Sequence, residues 1–292
     1  AEDRPRVPAV PASSLVLVRP GASGETSVFT VRRAGTMAFS AHATAFPGGR
    51  VDPADDLPDR LWEGTDLADW GRRLGLPHEP VDAHGTLTEL DPAEGAGRVL
   101  AAAVRETFEE TGVLLARDAD TGTPVDPARV AAFPDELRDA VERHEVDFGE
   151  LLGREGLRPV AGALVPWSRW ITPHGGPRRY DTFFFAVHLP QGQSPERMSS
   201  EAASHGWASP AELLRRFRAG EVNLMAPTWW QLRTLVDAGE DIHAGRSRFE
   251  PLEGVMLVAG QGPVFPHADE YLRDLTAFRA AAQVEESKDN IL

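Results

Sequence analysis

Apolar and polar positions along the first fifty residues predict three strands. Ser14-Leu15-Val16-Leu17-Val18-Arg19 is apolar on both faces and predicts a buried strand. Pro20–Gly24 marks a turn, and Thr26-Ser27-Val28-Phe29-Thr30-Val31-Arg32 alternates as its hairpin partner. Ala43–Phe46 is short and apolar, and Pro47-Gly48-Gly49 ends it with a loop signal. From Pro53 to Gly97 the chain is rich in Asp, Pro and Gly. Leu57, Leu61, Trp62, Leu67, Trp70 and Leu74 recur there at spacings suited to short helices. Gly97 to Thr111 predicts a longer helix with Gly112 at the position after its end. Residues 134–152 predict a second, acidic helical segment.

Val160–Thr172 and Tyr180–Leu189 predict further strands. The second reads YDTFFFAVHL and has too many consecutive apolar residues for a one-faced strand, so a central position is expected. Gly206-Trp207-Ala208 predicts a short strand. Ser209-Pro210-Ala211-Glu212 predicts a helix start with a capping box and proline at its first position. Ala226–Ala238 predicts another helix. The organisation expected is a loose lead-in over 1–13, one domain over 14–282, and a frayed tail over 283–292. Within the domain, 53–97 is a helical insertion and 226–282 a C-terminal extension. Strands and helices mix without strict alternation, which indicates an α/β layered fold around one mixed sheet.

Composition narrows the function classes. The 292 residues carry 30 basic and 45 acidic side chains, a formal net charge of −15. That argues against nucleic-acid polymers and anionic membrane surfaces, which call for basic patches. An anionic substrate would need a local cation. The absence of cysteine excludes thiolate chemistry and disulfides. No run approaches the length of a membrane span, and AEDRPRVPAVPASS lacks the apolar stretch of a signal peptide. A cytoplasmic protein is the expectation.

Arg105-Glu106-Thr107-Phe108-Glu109-Glu110-Thr111-Gly112-Val113 concentrates three glutamates. At about 100° per residue, Glu110 lies about 40° to one side of Glu106 and Glu109 about 60° to the other. Val104 and Phe108 fall on the opposite side. Arg105, four residues before Glu109, can pair with it. Clustered carboxylates of this kind suit a hard cation. On the helix alone, a solvated acidic face accounts for the pattern equally well.

The context resembles the Nudix hydrolase signature: Gly, five residues, Glu, seven residues, then Arg-Glu-aliphatic-any-Glu-Glu-any-Gly-aliphatic. Gly49 opens the match, Asp55 stands in the first Glu position, and Arg105, Glu106, Glu109, Glu110, Gly112 and Val113 complete it. Thr107 replaces an aliphatic residue. The interval between Asp55 and Arg105 is 49 residues (positions 56–104), so a long insertion splits the box. One branch of the family is similar in this respect, that of the peroxisomal-type coenzyme A diphosphatase. AHATAFPGGRVDPAD, SRWITPHGGPRRYDTFFFAVHL, GWASPAELL and NLMAPTWWQLRTL extend the likeness over about residues 14–240.

The resemblance implies an α/β/α sandwich around a mixed sheet and a metal-dependent hydrolase. Its substrate would be a small molecule, a nucleoside diphosphate derivative such as coenzyme A or a dinucleotide. A non-catalytic Nudix-fold binding module is the alternative. The resemblance assigns Glu106, Glu109 and Glu110 to Mg²⁺ or Mn²⁺, with Arg105 orienting Glu109, and leaves homodimerisation open. Glu201 is the candidate general base, beside the reading of an ordinary loop acid. Arg32, Arg33, Gly48, Gly49 and Arg179 are candidate substrate contacts. A salt bridge to Asp181 is the competing role for Arg178, Arg179 or Tyr180. His42 and His174 are weaker candidates, and Trp167, Trp170, Trp229 and Trp230 suit a core better than a base-stacking platform.

Overall fold

Strand β1 (Ala9–Pro20) and strand β2 (Thr26–Arg33) form the expected hairpin, but they pair over only three positions, Val18↔Val28 to Pro20↔Thr26. The computed structural model describes residues 8–22, 24–33, 42–76, 90–172, 178–195, 202–239, 241–242, 257–258, 262–263 and 265–289. Beyond the hairpin end, β1 and β2 splay apart. Strand β3 (Ala43–Ala45) joins β2, and strand β4 (Gly48–Arg50) joins β1 through Ser13↔Gly49 and Ser14↔Gly48. The chain between them is Phe46-Pro47, so the FPGG segment bridges the two arms of a fork in the sheet.

After the insertion comes strand β5 (Ala116–Asp118), which pairs with strand β6 (Leu157–Pro159) in a small sheet of its own. Strand β7 (Val165–Ile171) lies antiparallel to strand β8 (Arg179–His188). β8 runs parallel to β1 from Ala9↔Arg179 to Val18↔His188. β8 is therefore central, as its apolar run predicts. Strand β9 (Ala202–Ala208) pairs with the far edge of β2, and strand β10 (Asn223–Leu224) extends β3 in parallel. The main sheet is mixed, ordered β10-β3-β2-β1-β8-β7, with β4 and β9 attached to β1 and β2.

The doubly apolar strands separate two cores. Leu15, Leu17, Phe183, Phe185 and Val187 point to one face, and Val16, Val18, Phe184 and Ala186 to the other. This is the period-two alternation of a strand buried on both sides. Helix α1 (Leu67–Arg73) and helix α2 (Pro92–Thr111) cover the first face, with helices α3 (Pro127–Ala131), α4 (Asp135–Glu142) and α5 (Phe148–Arg154) around them. Helices α6 (Pro210–Arg218), α7 (Ala226–Ala238) and α8 (Ala268–Asp289) cover the second. The described part of the insertion is anchored. Leu57, Leu61, Trp62, Trp70, Leu74 and Leu76 join the first core, and Gly71 lies so close to Pro92 that a Cβ there would meet its carbonyl oxygen at 2.7 Å.

Several boundaries differ from expectation. Residues 9–13 are not lead-in but the start of β1, because the first residues of β8 offer a parallel partner. The single acidic segment over 134–152 is broken into α4 and α5, and His144 between them takes a positive φ of 55°. Only half of the capping box forms: the Ser209 hydroxyl accepts from the Glu212 N–H, while the Glu212 carboxylate accepts from the Arg215 guanidinium at 2.8 Å. The expected frayed tail is helical to Asp289.

Candidate functional site

Helix α2 begins at Asp91, whose side chain accepts from the Ala93 N–H, and ends where Gly112 adopts a φ of 75°. Its last two turns carry the motif. Val104 and Phe108 are buried in the core, as the helical angles predict. Thr107 keeps a hydroxyl where the pattern has a hydrocarbon. That hydroxyl donates to the Ala103 carbonyl at 2.7 Å, so it is buried and satisfied.

Arg105 is the hub of the charged cluster. Its Nε and Nη2 donate to the two carboxylate oxygens of Asp55 at 2.7 and 3.0 Å, a bidentate pair. Nη1 donates to Glu106 at 3.0 Å and to Glu109 at 3.0 and 3.1 Å, and Nη2 also reaches the Arg50 carbonyl at 3.0 Å. All five donors of the guanidinium are engaged. The split box is thus rejoined in space. Asp55 spans the gap despite its short side chain because the turn Pro53–Asp55 carries it there, and the Asp52 N–H donates to Asp55 at 2.7 Å. Asp55 is only 1% exposed and lies beneath the cluster.

Two glycines let the sheet reach the carboxylates. A Cβ on Gly49 would overlap the Glu106 carboxylate. Gly48 has a φ of 150°, and its N–H donates to Glu110 at 3.3 Å. At Gly48 both the positive φ and the Ser13–Ser14 backbone exclude a side chain, whereas at Gly49 a Cβ would push the Glu106 carboxylate out of place.

Asp55, Glu106 and Glu109 share one guanidinium, so the cluster keeps an excess of negative charge. Burial pushes the Glu106 carboxyl up to about 7, against the opposing pull of Arg105. Burial also raises Glu109, again against Arg105. For Arg105, burial acts to lower the pKa, but the Asp55 hydrogen bond and the surrounding carboxylates outweigh it and raise the value. Among the described residues, no three acids or histidines already converge as a cation cage. The donor set nonetheless suits a hard divalent cation: oxygen ligands, incomplete neutralisation and a glycine-lined approach.

The cluster opens into a cleft of 810 Å³ that passes through the fork of the sheet. Gly48, Gly49, Arg33 and Arg179 line it. Arg32 does not: successive strand residues point to opposite faces, and Arg32 is exposed. Arg179 is buried and donates through Nε to the Thr172 carbonyl at 2.9 Å. Asp181 is held by Arg169, at 2.8 and 2.5 Å, rather than by Arg178, Arg179 or Tyr180. His42 has a φ of 62° and is exposed. His174 and Glu201 lie outside the described residues. Ala202, next to Glu201 in the chain, pairs with Arg33. Trp170, Trp229 and Trp230 belong to the second core, with Trp167 packed against it.

Sequence reasoning missed Glu142, His144, Met225 and Thr228, all of which line the cleft. Glu142 ends an ordinary amphipathic helix, and Thr228 sits among tryptophans that read as core. Neither belongs to a local motif, and no signal in the sequence marks them.

Known proteins are similar to this chain in sequence and fold. The acyl-coenzyme A diphosphatase NUDT19 of Gallus gallus is 32% identical over 268 residues, covering 78% of this chain and 69% of the relative. That of Homo sapiens is 28% identical over 305 residues, covering 94% and 80%. The crystal structure of a Nudix hydrolase from Alicyclobacillus acidocaldarius superimposes with a TM-score of 0.62 at 29% identity, covering 82% of this chain and 96% of that one. The NUDT19 Nudix domain family matches residues 9–235. Family match, sequence identity and fold agree, and this chain belongs to the NUDT19 family of Nudix hydrolases.

Proposed function

We propose that this Nudix diphosphate hydrolase cleaves the diphosphate of a coenzyme A derivative. The observation that carries the reading is the Arg105-centred carboxylate cluster, intact across a split motif and open to a cleft of 810 Å³. The names of the NUDT19 relatives supply the substrate class. Nudix hydrolases generally need divalent metal ions, and Mg²⁺ or Mn²⁺ is our assignment, held by Glu106, Glu110 and Glu109. When bound, such an ion neutralises the diphosphate and lowers the pKa of water.

The chain's own residues do the positioning. Arg105 fixes the orientation of Glu106 and Glu109 from below, and Asp55 fixes Arg105. The Gly48 N–H holds Glu110 against the sheet. Water attacks one phosphorus, the bridging P–O bond breaks, and the products are adenosine 3′,5′-bisphosphate and a phosphopantetheine derivative. Glu201 is our assignment for the base that takes the water proton. The cleft-lining Arg33, paired with the neighbouring Ala202, supports it.

The test is release of adenosine 3′,5′-bisphosphate from coenzyme A and acyl-coenzyme A with Mg²⁺ or Mn²⁺, alongside dinucleotides as controls. Turnover of the coenzyme A substrates, abolished on omitting metal, is expected. Turnover confined to dinucleotides would overturn the substrate class, and none at all would overturn the enzyme reading. For the base, Glu201→Gln should flatten the alkaline-rising limb of the kcat profile while leaving metal binding intact. An unchanged profile would remove Glu201 from the mechanism.

A further inference from the structure

Helix α7 starts on the wall of the cleft away from α2. β10 pairs with Ala43 and Thr44 of β3, and this places Met225 at the edge of the fork. Met225, Pro227 and Thr228 line the cleft. The helix is 13 residues long, and no side chain caps its N-terminus. First-turn N–H groups have no partner within a helix and concentrate partial positive charge. Pro227 lacks one, which leaves the donors of Ala226 and Thr228.

Thr228 supplies a second, independent sign. It is 6% exposed and faces the cleft, and its hydroxyl makes no hydrogen bond among the described residues. The hydroxyl is not one of the sealed polar atoms without a partner, so it opens onto the cleft, where a ligand oxygen can take the place of water. The cation-lined part of the same cleft, with Arg33 and Arg178, adds charge of the matching sign.

We propose that the N-terminus of α7, together with the Thr228 hydroxyl, is a phosphomonoester subsite. It receives the ribose 3′-phosphate of a coenzyme A derivative while the diphosphate lies at α2. The inference rests on the coenzyme A reading and extends it. A diphosphate at the carboxylates depends on a bridging cation, whereas a separate phosphate dianion is served directly by helix N–H groups and a hydroxyl. The two ends of the cleft therefore suit two different phosphates of one molecule. A dinucleotide without a 3′-phosphate would leave the α7 end unfilled.

The experiment compares KM for coenzyme A and 3′-dephospho-coenzyme A in wild type, Thr228→Val and Thr228→Ser. Wild type should show a KM for coenzyme A lower by about tenfold, the size expected of hydrogen bonds to a charged group. Thr228→Val should close most of that gap with little change in kcat, and Thr228→Ser should restore it. Equal KM values in wild type would overturn the subsite and leave the diphosphatase reading standing. A uniform loss on both substrates in Thr228→Val, unrescued by Ser, would make Thr228 merely structural. If neither substrate turns over, calorimetry with adenosine 3′,5′-bisphosphate against adenosine 5′-monophosphate decides. Tighter binding of the bisphosphate, lost in Thr228→Val, supports the subsite, and equal affinities overturn it.

Discussion

The two walls of the cleft are built on opposite principles. On the α2 wall every donor of Arg105 is used, and Asp55, Glu106 and Glu109 are tied to one another through it. On the α7 wall no side chain caps the helix start, and the Thr228 hydroxyl makes no hydrogen bond among the described residues. The first wall is fixed by its own hydrogen bonds before any ligand arrives, which suits the metal-ligand role proposed for it. The second keeps its donors open, which suits the anion subsite proposed there. The same difference appears in chain distance. The α2 cluster joins residues 50 apart by a bidentate pair, whereas the α7 wall needs only one helix start.

The largest expected effect breaks the first wall's chemistry. Glu110→Gln should reduce turnover beyond the about 10–100-fold typical of losing an outer partner of a metal ligand. Rates matching wild type would remove Glu110 from the metal site. Gly49→Ala should act nearly as strongly, because the added Cβ overlaps the Glu106 carboxylate. Its loss should show as weaker metal binding by calorimetry, with the fold retained by circular dichroism.

Stability sharpens the contrast between the walls. Asp55→Ala leaves two buried N–H donors of Arg105 without acceptors while Glu106 and Glu109 still balance its charge, and should cost about 1–3 kcal/mol in denaturant unfolding. Asp55→Glu restores the family's usual residue, but the site is 1% exposed, and overpacking should cost about 1–3 kcal/mol. Thr228→Val removes no hydrogen bond and should be nearly neutral. Equal losses for Asp55→Ala and Thr228→Val would contradict the division between a cross-linked wall and an open one.

Charge in the first wall also sets a pH dependence. The Glu106 carboxyl is raised from 4.5 to about 7 by burial. In the metal-free protein its contribution to stability is therefore fully present below pH 4.5 and is lost as pH rises through about 7. Metal requires the carboxylate, so stabilisation by Mg²⁺ should grow over the same window. Melting temperatures of wild type and Glu106→Gln, with and without Mg²⁺, check this. A metal-induced shift that ignores pH in wild type would sink it.

What was legible in the sequence follows from the range of each interaction. The carboxylate face of α2 could be read because residues three and four apart on a helix are neighbours. The central place of β8 could be read because Phe183, Phe184 and Phe185 leave no solvent face. The fork was not legible, since nothing local says that β1 and β2 part after three pairs. The Arg169 partner of Asp181 was missed for a related reason: the two meet across a β7–β8 pairing whose register is shifted between Pro166 and Ser168. The pairing of Asp55 with Arg105 was not legible: the motif puts both residues in one signature without saying that they touch, and the turn at Pro53–Asp55 is what carries the shorter side chain to the guanidinium.

The smallest effect tests where the first wall ends. Glu142 lines the cleft and adds to the negative field that raises Glu109. If it acts only through that field, Glu142→Gln should weaken the apparent affinity for Mg²⁺ by no more than about fivefold, the size of a screened charge worth up to about 1 kcal/mol. Titrating activity against Mg²⁺ measures it. A loss as large as that of Glu110→Gln would make Glu142 a ligand, and the metal-binding wall would then include α4 as well as α2. The motif would account for only part of it. A small loss confines the wall to α2 and β4, where the split box and its two glycines already supply it.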